Sequence, residues 1–302
     1  MYDVIVVGDY CLDLVFTGLP KFPELGVEVV ASAFCMTPGG AYIPVAALHR
    51  LGLRVGWAGD FGDDDFSRFV LERARQDGLD PALFVHHQRS LRQITVAASY
   101  PHDRAFIAYY DPAPSVPAAI KALATATARA VYLPGIAFGP LFEAGRLLVR
   151  AKGMRLIMDG NSHEHVVLAD PAVHRAVGSV DLFLANSLEV RRLSGEAELA
   201  GAMAALAKRV PLLVVKDGAR GAWACAGGEV LHEPPIVVTP LDTTGAGDCF
   251  NAGFIAAWLE GRPLQECLRW GNVVGGLSTE RMGGTERVVT RAEVEEVLKR
   301  ES

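Results

Sequence analysis

Two observations predict an α/β fold with a mostly parallel central sheet. From about residue 113 onward, short apolar runs at 130–133, 156–159, 182–186 and 212–216 alternate with helical stretches such as 142–151. That is the pattern of parallel strands with helices packed on the sheet. Half of the 302 residues are hydrophobic, ample for one large core, and there are no repeats and no long linker, so 1–302 reads as a single domain. In such folds ligands sit at the carboxyl ends of the strands.

Composition narrows the function classes. The net charge is −6 and the Lys and Arg residues are scattered singly, so no basic stripe invites nucleic acid. No apolar run reaches membrane-spanning length without charges. The opening Met1–Val7 lacks basic residues and is soon interrupted by Asp9 and Asp13, as in a buried strand rather than a signal peptide, so a cytoplasmic location is expected. Cys11, Cys35, Cys225, Cys249 and Cys267 are odd in number and show no C-x-x-C spacing, which fits a reducing compartment and neither a zinc site nor a disulfide framework. His86-His87 and His163-Glu164-His165 lack a third ligand and read as loop residues.

Taken in order, Val4–Val7 is a central strand that ends at a turn on Gly8-Asp9. A second strand, 12–16, carries Asp13 as its only charge. The stretch 22–34 alternates loosely through Val27, Val29 and Ala31 and is expected to be strand-like, as are 92–100 and 104–110. Gly39-Gly40 is expected to form a turn that opens an amphipathic helix closed by Gly52. A strand from Val55 runs into Asp63-Asp64-Asp65, read as capping charges for the helix through Phe69 and Ala74. Asn186 and Glu189 stand three apart at a helix start, a spacing that on its own describes a helix cap. The Lys216–Gly221 segment reads as a hairpin turn with Gly218 and Gly221, and Asn272 falls on a later core helix.

The string Asp242-Thr243-Thr244-Gly245-Ala246-Gly247-Asp248 carries the most chemistry. Phe250, Phe254, Ala257 and Trp258 follow at helical spacing, so a buried helix begins near Gly245 with a glycine-rich N-terminus. The first N–H groups of a helix lack internal partners and carry the positive end of its dipole, which makes an anion hole of Gly245, Ala246 and Gly247. A carboxylate at Asp248 would repel a bound anion, yet suits a general base that takes the proton from a hydroxyl attacking a phosphoryl group.

This string, with Phe250 and Gly253 behind it, resembles the C-terminal signature of the PfkB, or ribokinase-like, family of carbohydrate and nucleoside kinases. The resemblance implies a ribokinase-like three-layer α/β/α fold with a small β-sheet lid formed by about 12–36 and 91–112. It also implies ATP-dependent phosphorylation of a hydroxymethyl group on a sugar or sugar-like substrate. Asp13, Gly39, Gly40, Arg104 and Asp248 would then bind substrate. Asn186, Glu189, Lys216, Gly218, Gly221, Gly247 and Asn272 would serve the nucleotide, with Mg2+ held near Glu189 through water. Asp242 and Thr244 would serve a K+ site, and the lid would offer a homodimer contact. The chain departs from the family at Pro44, where an Asn is usual, and at Ala41, which together are expected to form an apolar wall. A nucleoside kinase, favoured by the aromatic residues Tyr100, Phe106, Tyr109 and Tyr110, and an inactive ligand-binding homologue are the alternatives.

Overall fold

The computed structural model describes residues 1–100, 104–114, 117–162 and 165–300, so His163 and Glu164 of the histidine cluster lie outside the described residues. The N-terminal part holds β1 (Tyr2–Val7), β2 (Tyr10–Thr17), β3 (Ala33–Gly40), α1 (Tyr42–Arg50), β4 (Val55–Ala58), β5 (Asp60–Phe61), α2 (Asp65–Gln76), β6 (Val85–His86), β7 (Gln93–Ser99) and β8 (Arg104–Tyr110). Strands and helices then alternate as α3 (Ala118–Thr125), β9 (Ala128–Leu133), α4 (Pro140–Ala151), β10 (Arg155–Asp159), α5 (Pro171–Val177), β11 (Leu182–Asn186), α6 (Ser187–Ser194), α7 (Leu199–Ala207) and β12 (Leu212–Lys216). A hairpin of β13 (Ala222–Ala226) and β14 (Glu229–Glu233) follows, then α8 (Ala246–Leu259), α9 (Leu264–Ser278) and α10 (Arg291–Arg300).

The main sheet runs in the order β14-β13-β12-β11-β10-β9-β1-β4, parallel from β4 to β12 and antiparallel in the closing hairpin. Its strands are apolar on both faces because both faces are covered. Val4, Val6, Ile157, Leu184 and Val214 belong to the core shared with α1, α8 and α9, while Ile5, Met158, Phe183 and Leu213 belong to the opposite core with residues of α4, α5 and α7. This is the expected three-layer arrangement, and the carboxyl ends of β1, β9, β10, β11 and β12 lie along one edge.

A second sheet has the order β3-β2-β7-β8, with β2 parallel to β7 and the outer pairs antiparallel. It is the expected small lid sheet. The expected strand at 22–34 is corrected: no strand occupies residues 18–32, and β3 begins only at Ala33. Pro23 offers no N–H to a ladder, Gly26 takes φ +76, and Leu25 is wholly exposed, so the loose alternation has neither a partner strand nor a face to bury. Gly39-Gly40 likewise does not form a separate turn. The two glycines close β3 opposite Cys11 and Tyr10, and α1 starts two residues later.

Of the three aspartates at 63–65, Asp64 caps α2 by accepting from the Ser67 N–H at 2.9 Å, and it also accepts from the Leu91 N–H at 2.9 Å. Asp63 and Asp65 pair with Arg68. The cap therefore also pins the chain that enters β7.

Candidate active site

Helix α8 is apolar almost all round and buried between α1 and α9, so the packing of its body determines where its N-terminus points. Its N-cap is Gly245 at φ +70, with no side-chain cap. Glycine is required there twice over: that φ is the left-handed region, and a Cβ would come within 2.9 Å of Ile43 Cδ1 and 3.0 Å of Gly284 Cα. The Cys249 N–H closes the first helical bond onto the Gly245 carbonyl at 2.9 Å. The Ala246 N–H donates to the Thr243 carbonyl at 3.2 Å, and among the described residues the Gly245, Gly247 and Asp248 N–H groups remain as donors that the helix itself does not satisfy.

Asp248, in the first turn, is half-buried. Its carboxyl is pushed up from the usual carboxylate range to about 7, first by burial and then by the charge of Asp159, with Glu189 and Asp13 adding to the shift and Lys216 opposing it. The groups that shift it come from four elements: β10 supplies Asp159, β12 Lys216, α6 Glu189 and β2 Asp13. The topology gathers Asp159, Lys216 and Glu189 because each stands at or just beyond the end of a parallel strand, and Asp13 joins them from the middle of the lid strand β2.

Beneath the α8 turn lies a buried polar cluster. Lys216 Nζ donates to Asp159 Oδ2 at 2.8 Å and to Asn251 Oδ1 at 3.1 Å, and Asn251 Nδ2 donates to Asp159 Oδ2 at 2.7 Å and to the Tyr132 hydroxyl at 2.9 Å. Burial alone would lower the lysine's pKa, but the charges of Asp159, Glu189 and Asp248 outweigh it, and the ammonium is raised instead. Sequence reasoning missed Asp159, Asn251 and Tyr132. A carboxylate closing an apolar run and an amide inside an apolar helix were the available signals.

Asn186 and Glu189 form a complete capping box on α6. Asn186 Oδ1 accepts from the Leu188 and Glu189 N–H groups, and Glu189 Oε2 accepts from the Asn186 N–H at 2.7 Å. The cap geometry thus holds Glu189 against Gly160, beside Asp159. Burial and the Asp159 charge raise the Glu189 carboxyl. Lys216 stands among the carboxyls of Asp159, Glu189 and Asp248, and the Arg192 charge also acts on Glu189. Among the described residues no group of three carboxylate, histidine or cysteine side chains is placed to hold a metal ion directly.

Lys216, Gly218, Gly221, Gly247 and Asn272 all line one cleft of about 460 Å³ on the same side of the α8 turn. Its other walls are mostly apolar, from Pro235 through Val238, with Phe250, Gly275 and Gly276. The Asn272 amide donates to the Glu233 and Pro234 carbonyls, so its nitrogen belongs to the wall of the cleft.

On the other side of the turn is Asp13, raised to about 6 by burial and by Asp242 despite an opposing hydrogen bond with Cys11. A Cβ at Gly39 would lie 2.3 Å from Asp13 Oδ2, so only glycine leaves that carboxylate its place. Gly40 pairs with Tyr10 at the end of the same ladder. Strand alternation puts Phe106 and Tyr110 on the Asp13 face of the lid and Tyr109 on the opposite face, which separates aromatics that the sequence grouped together. Arg104 opens β8 opposite Ser99, and its side chain lies outside what the structure describes. Ala41 and Pro44 are buried at the start of α1.

The loop before α8 is stapled to a later one. Asp242 Oδ1 accepts from the Thr244 N–H and hydroxyl, and Asp242 Oδ2 accepts from the Gly283 N–H at 2.9 Å. Thr285 in turn meets Thr37 of β3 at 3.1 Å. The lid, the late loop and the α8 turn are therefore one connected unit.

Comparison with known proteins agrees with this architecture. Residues 1–291 match the pfkB family of carbohydrate kinases. A ribokinase from Bacillus subtilis is 27% identical over 318 residues, covering 99% of this chain and 100% of the relative. A nucleoside kinase from Methanothermobacter thermautotrophicus is 28% identical and covers 93% of this chain and 90% of its own length. The solved structure of a ribokinase from Arabidopsis thaliana, complexed with ribose and ATP, superposes with a TM-score of 0.83 at 21% identity and 99% coverage of each chain.

The raised Asp248 pKa makes a prediction that needs no substrate. The fold prefers the protonated carboxyl, so its contribution to stability is complete below pH 4 and is lost as pH rises through about 7. Between pH 5 and pH 8 the wild type should lose about 1–2 kcal/mol relative to Asp248→Asn, after allowance for solvent screening of a half-buried group. Urea unfolding of both proteins at the two pH values checks this, and an unchanged gap would show that the carboxyl titrates normally.

Proposed function

We propose that this chain, which belongs to the pfkB family of carbohydrate kinases, transfers the γ-phosphoryl group of ATP to a hydroxymethyl group of a sugar or sugar-like substrate, with Asp248 as the general base. The observation that carries the reading is the position of Asp248: one residue past Gly247, which lines the cleft, and near enough to Asp13 for that carboxylate's charge to act on it.

In this mechanism the base and ribose of the nucleotide occupy the apolar cleft, and its terminal phosphate meets the Gly245 and Gly247 N–H groups. Ala246 joins them if its bond to Thr243 opens. Asp13, beside the Gly39-Gly40 backbone, orients the acceptor hydroxyls. The acceptor oxygen then bonds to the γ-phosphorus, its proton passes to the Asp248 carboxylate, and the bond from the γ-phosphorus to the ADP oxygen breaks. A magnesium ion held through water near Glu189 and Asn186 would neutralise charge on the phosphates. The lid covers the acceptor and excludes water, a competing nucleophile.

Phe106 and Tyr110 on the Asp13 face also favour a nucleoside as the acceptor, because a base can stack on such rings. A phosphate-transfer assay on ribose, fructose, a keto-deoxy sugar acid and adenosine separates these readings. Transfer to none of them would favour a ligand-binding role. With the best acceptor, Asp248→Asn should lower kcat by roughly 10²- to 10⁴-fold while nucleotide binding stays near wild type. Retention of more than about a third of turnover would remove Asp248 from the role of base.

We also read Asp242, Thr244 and the 278–287 loop as the surroundings of an activating monovalent cation, supported by the way Asp242 joins the two loops. Potassium should raise turnover relative to buffers free of sodium and potassium. Equal rates would count against it.

The lid face away from Asp13 leaves Phe34, Met36, Ile107 and Tyr109 exposed, and such a patch supports pairing of two chains. Sedimentation should show a dimer that Ile107→Glu converts to monomer. A wild-type monomer across the assay range would exclude it.

A further inference from the structure

We propose that Asn251 is a positioning residue: its carboxamide locks the first turn of α8, and with it Gly247 and Asp248, to the carboxyl ends of β9, β10 and β12. The proposal rests on the function proposed above for what the turn does, but not for whether the turn is locked.

Asn251 is completely buried in a helix whose other buried side chains are almost all apolar. Apolar packing fixes a helix by shape alone, whereas a hydrogen-bonded amide fixes it also by the direction of each bond. Each polar atom of the amide is engaged. Oδ1 accepts from Lys216 Nζ, and Nδ2 donates to Asp159 Oδ2 and to the Tyr132 hydroxyl. Only one orientation is allowed, because an ammonium cannot accept a hydrogen bond and a carboxylate cannot donate one. Asn251 therefore reads three strands at once: Tyr132 from β9, Asp159 from β10 and Lys216 from β12.

The lock sits directly under the proposed chemistry. Gly247 precedes Asn251 by four residues and so shares its helix face, and a Cβ built at Gly247 would lie 3.6 Å from Lys216 Nζ. Asp248 is three residues before Asn251. A turn displaced by about 1 Å loses alignment with both phosphoryl group and acceptor, an error that can cost on the order of 10²-fold in rate.

The geometry also supplies the test. Asn251→Asp sets two carboxylates against each other, and Asp159→Asn leaves Lys216 without its anion. The double exchange restores one carboxylate, one amide and one ammonium to the same triangle, and the Tyr132 hydroxyl, which can donate or accept, completes it. Each single variant should lose about 10- to 100-fold in kcat with KM for ATP little changed, and should exchange the helix-bonded amide hydrogens of residues 249 and 250 faster than wild type. The double variant should recover most of the rate and the slow exchange.

Single variants within about threefold of wild-type kcat and with unchanged exchange would overturn the proposal, as would a double variant no better than the worse single. If the singles fail to fold, the double decides alone: slow exchange at 249 and 250 supports the lock, and fast exchange in a folded protein refutes it. If the wild type transfers no phosphoryl group to any acceptor, the functional reading falls, and the exchange data still judge the lock.

Discussion

The ion pair between Lys216 and Asp159 is the constraint on which the site depends. Two charges withdrawn from water are costly, and a pair of this kind holds only when the remaining hydrogen-bonding capacity is met. Asn251, which bonds to both members, and the Asn161 N–H, which donates to Asp159 Oδ1, meet it here. Removal of one partner from such a pair typically costs about 3–5 kcal/mol, yet replacement of the whole by well-packed apolar groups is often neutral. Stability alone therefore gives no reason to place it under a helix end. What the cluster adds is register: the strand ends and the α8 turn can meet in one way only.

That register matters because nothing else caps α8. Helices such as α2, α5 and α6 fix their first turn with an Asp or Asn side chain. Gly245 supplies none, and at its left-handed φ a side chain would have no room beside Ile43 of α1 and Gly284 of the late loop. The turn is thus positioned from below by Asn251, from the side by α1 and the late loop, and at its entry by Asp242. The open N–H groups follow from this arrangement, since a side-chain cap would have filled them.

The sequence made the main sheet legible because its strands are fully buried and short, with helices between them. It made α8 legible because glycine and aspartate stand where an apolar helix begins. The lid was half legible. Residues 93–99 and 104–110 form the strands read there, but the loop at 18–32 imitates a strand through loose alternation, and burial, which a single chain's pattern cannot reveal, decides between them. The central position of β2, parallel to β7, depends on pairing across some eighty residues, and periodicity carries no information at that range. Asp159 and Asn251 were overlooked for a related reason. Each looks ordinary beside its neighbours in sequence, and their meaning arises only where β10 and α8 meet.

The same geometry explains how so acidic a site can serve an anionic donor under the proposed reading. Asp13, Asp159 and Glu189 all act on Asp248, with Lys216 opposing them, and a phosphate placed among these carboxylates would be repelled. The first turn of α8 divides the space. Gly247 and Ala246 open on the apolar cleft, where the helix dipole and the N–H groups favour an anion, while Asp13 and the lid lie on the other side, where carboxylates favour hydroxyls. Asp248 stands on the boundary. Its raised pKa is then a consequence of that position, because a carboxyl pressed between other carboxylates and a dry helix end holds its proton until near neutral pH, where a base that must both take and release a proton works best.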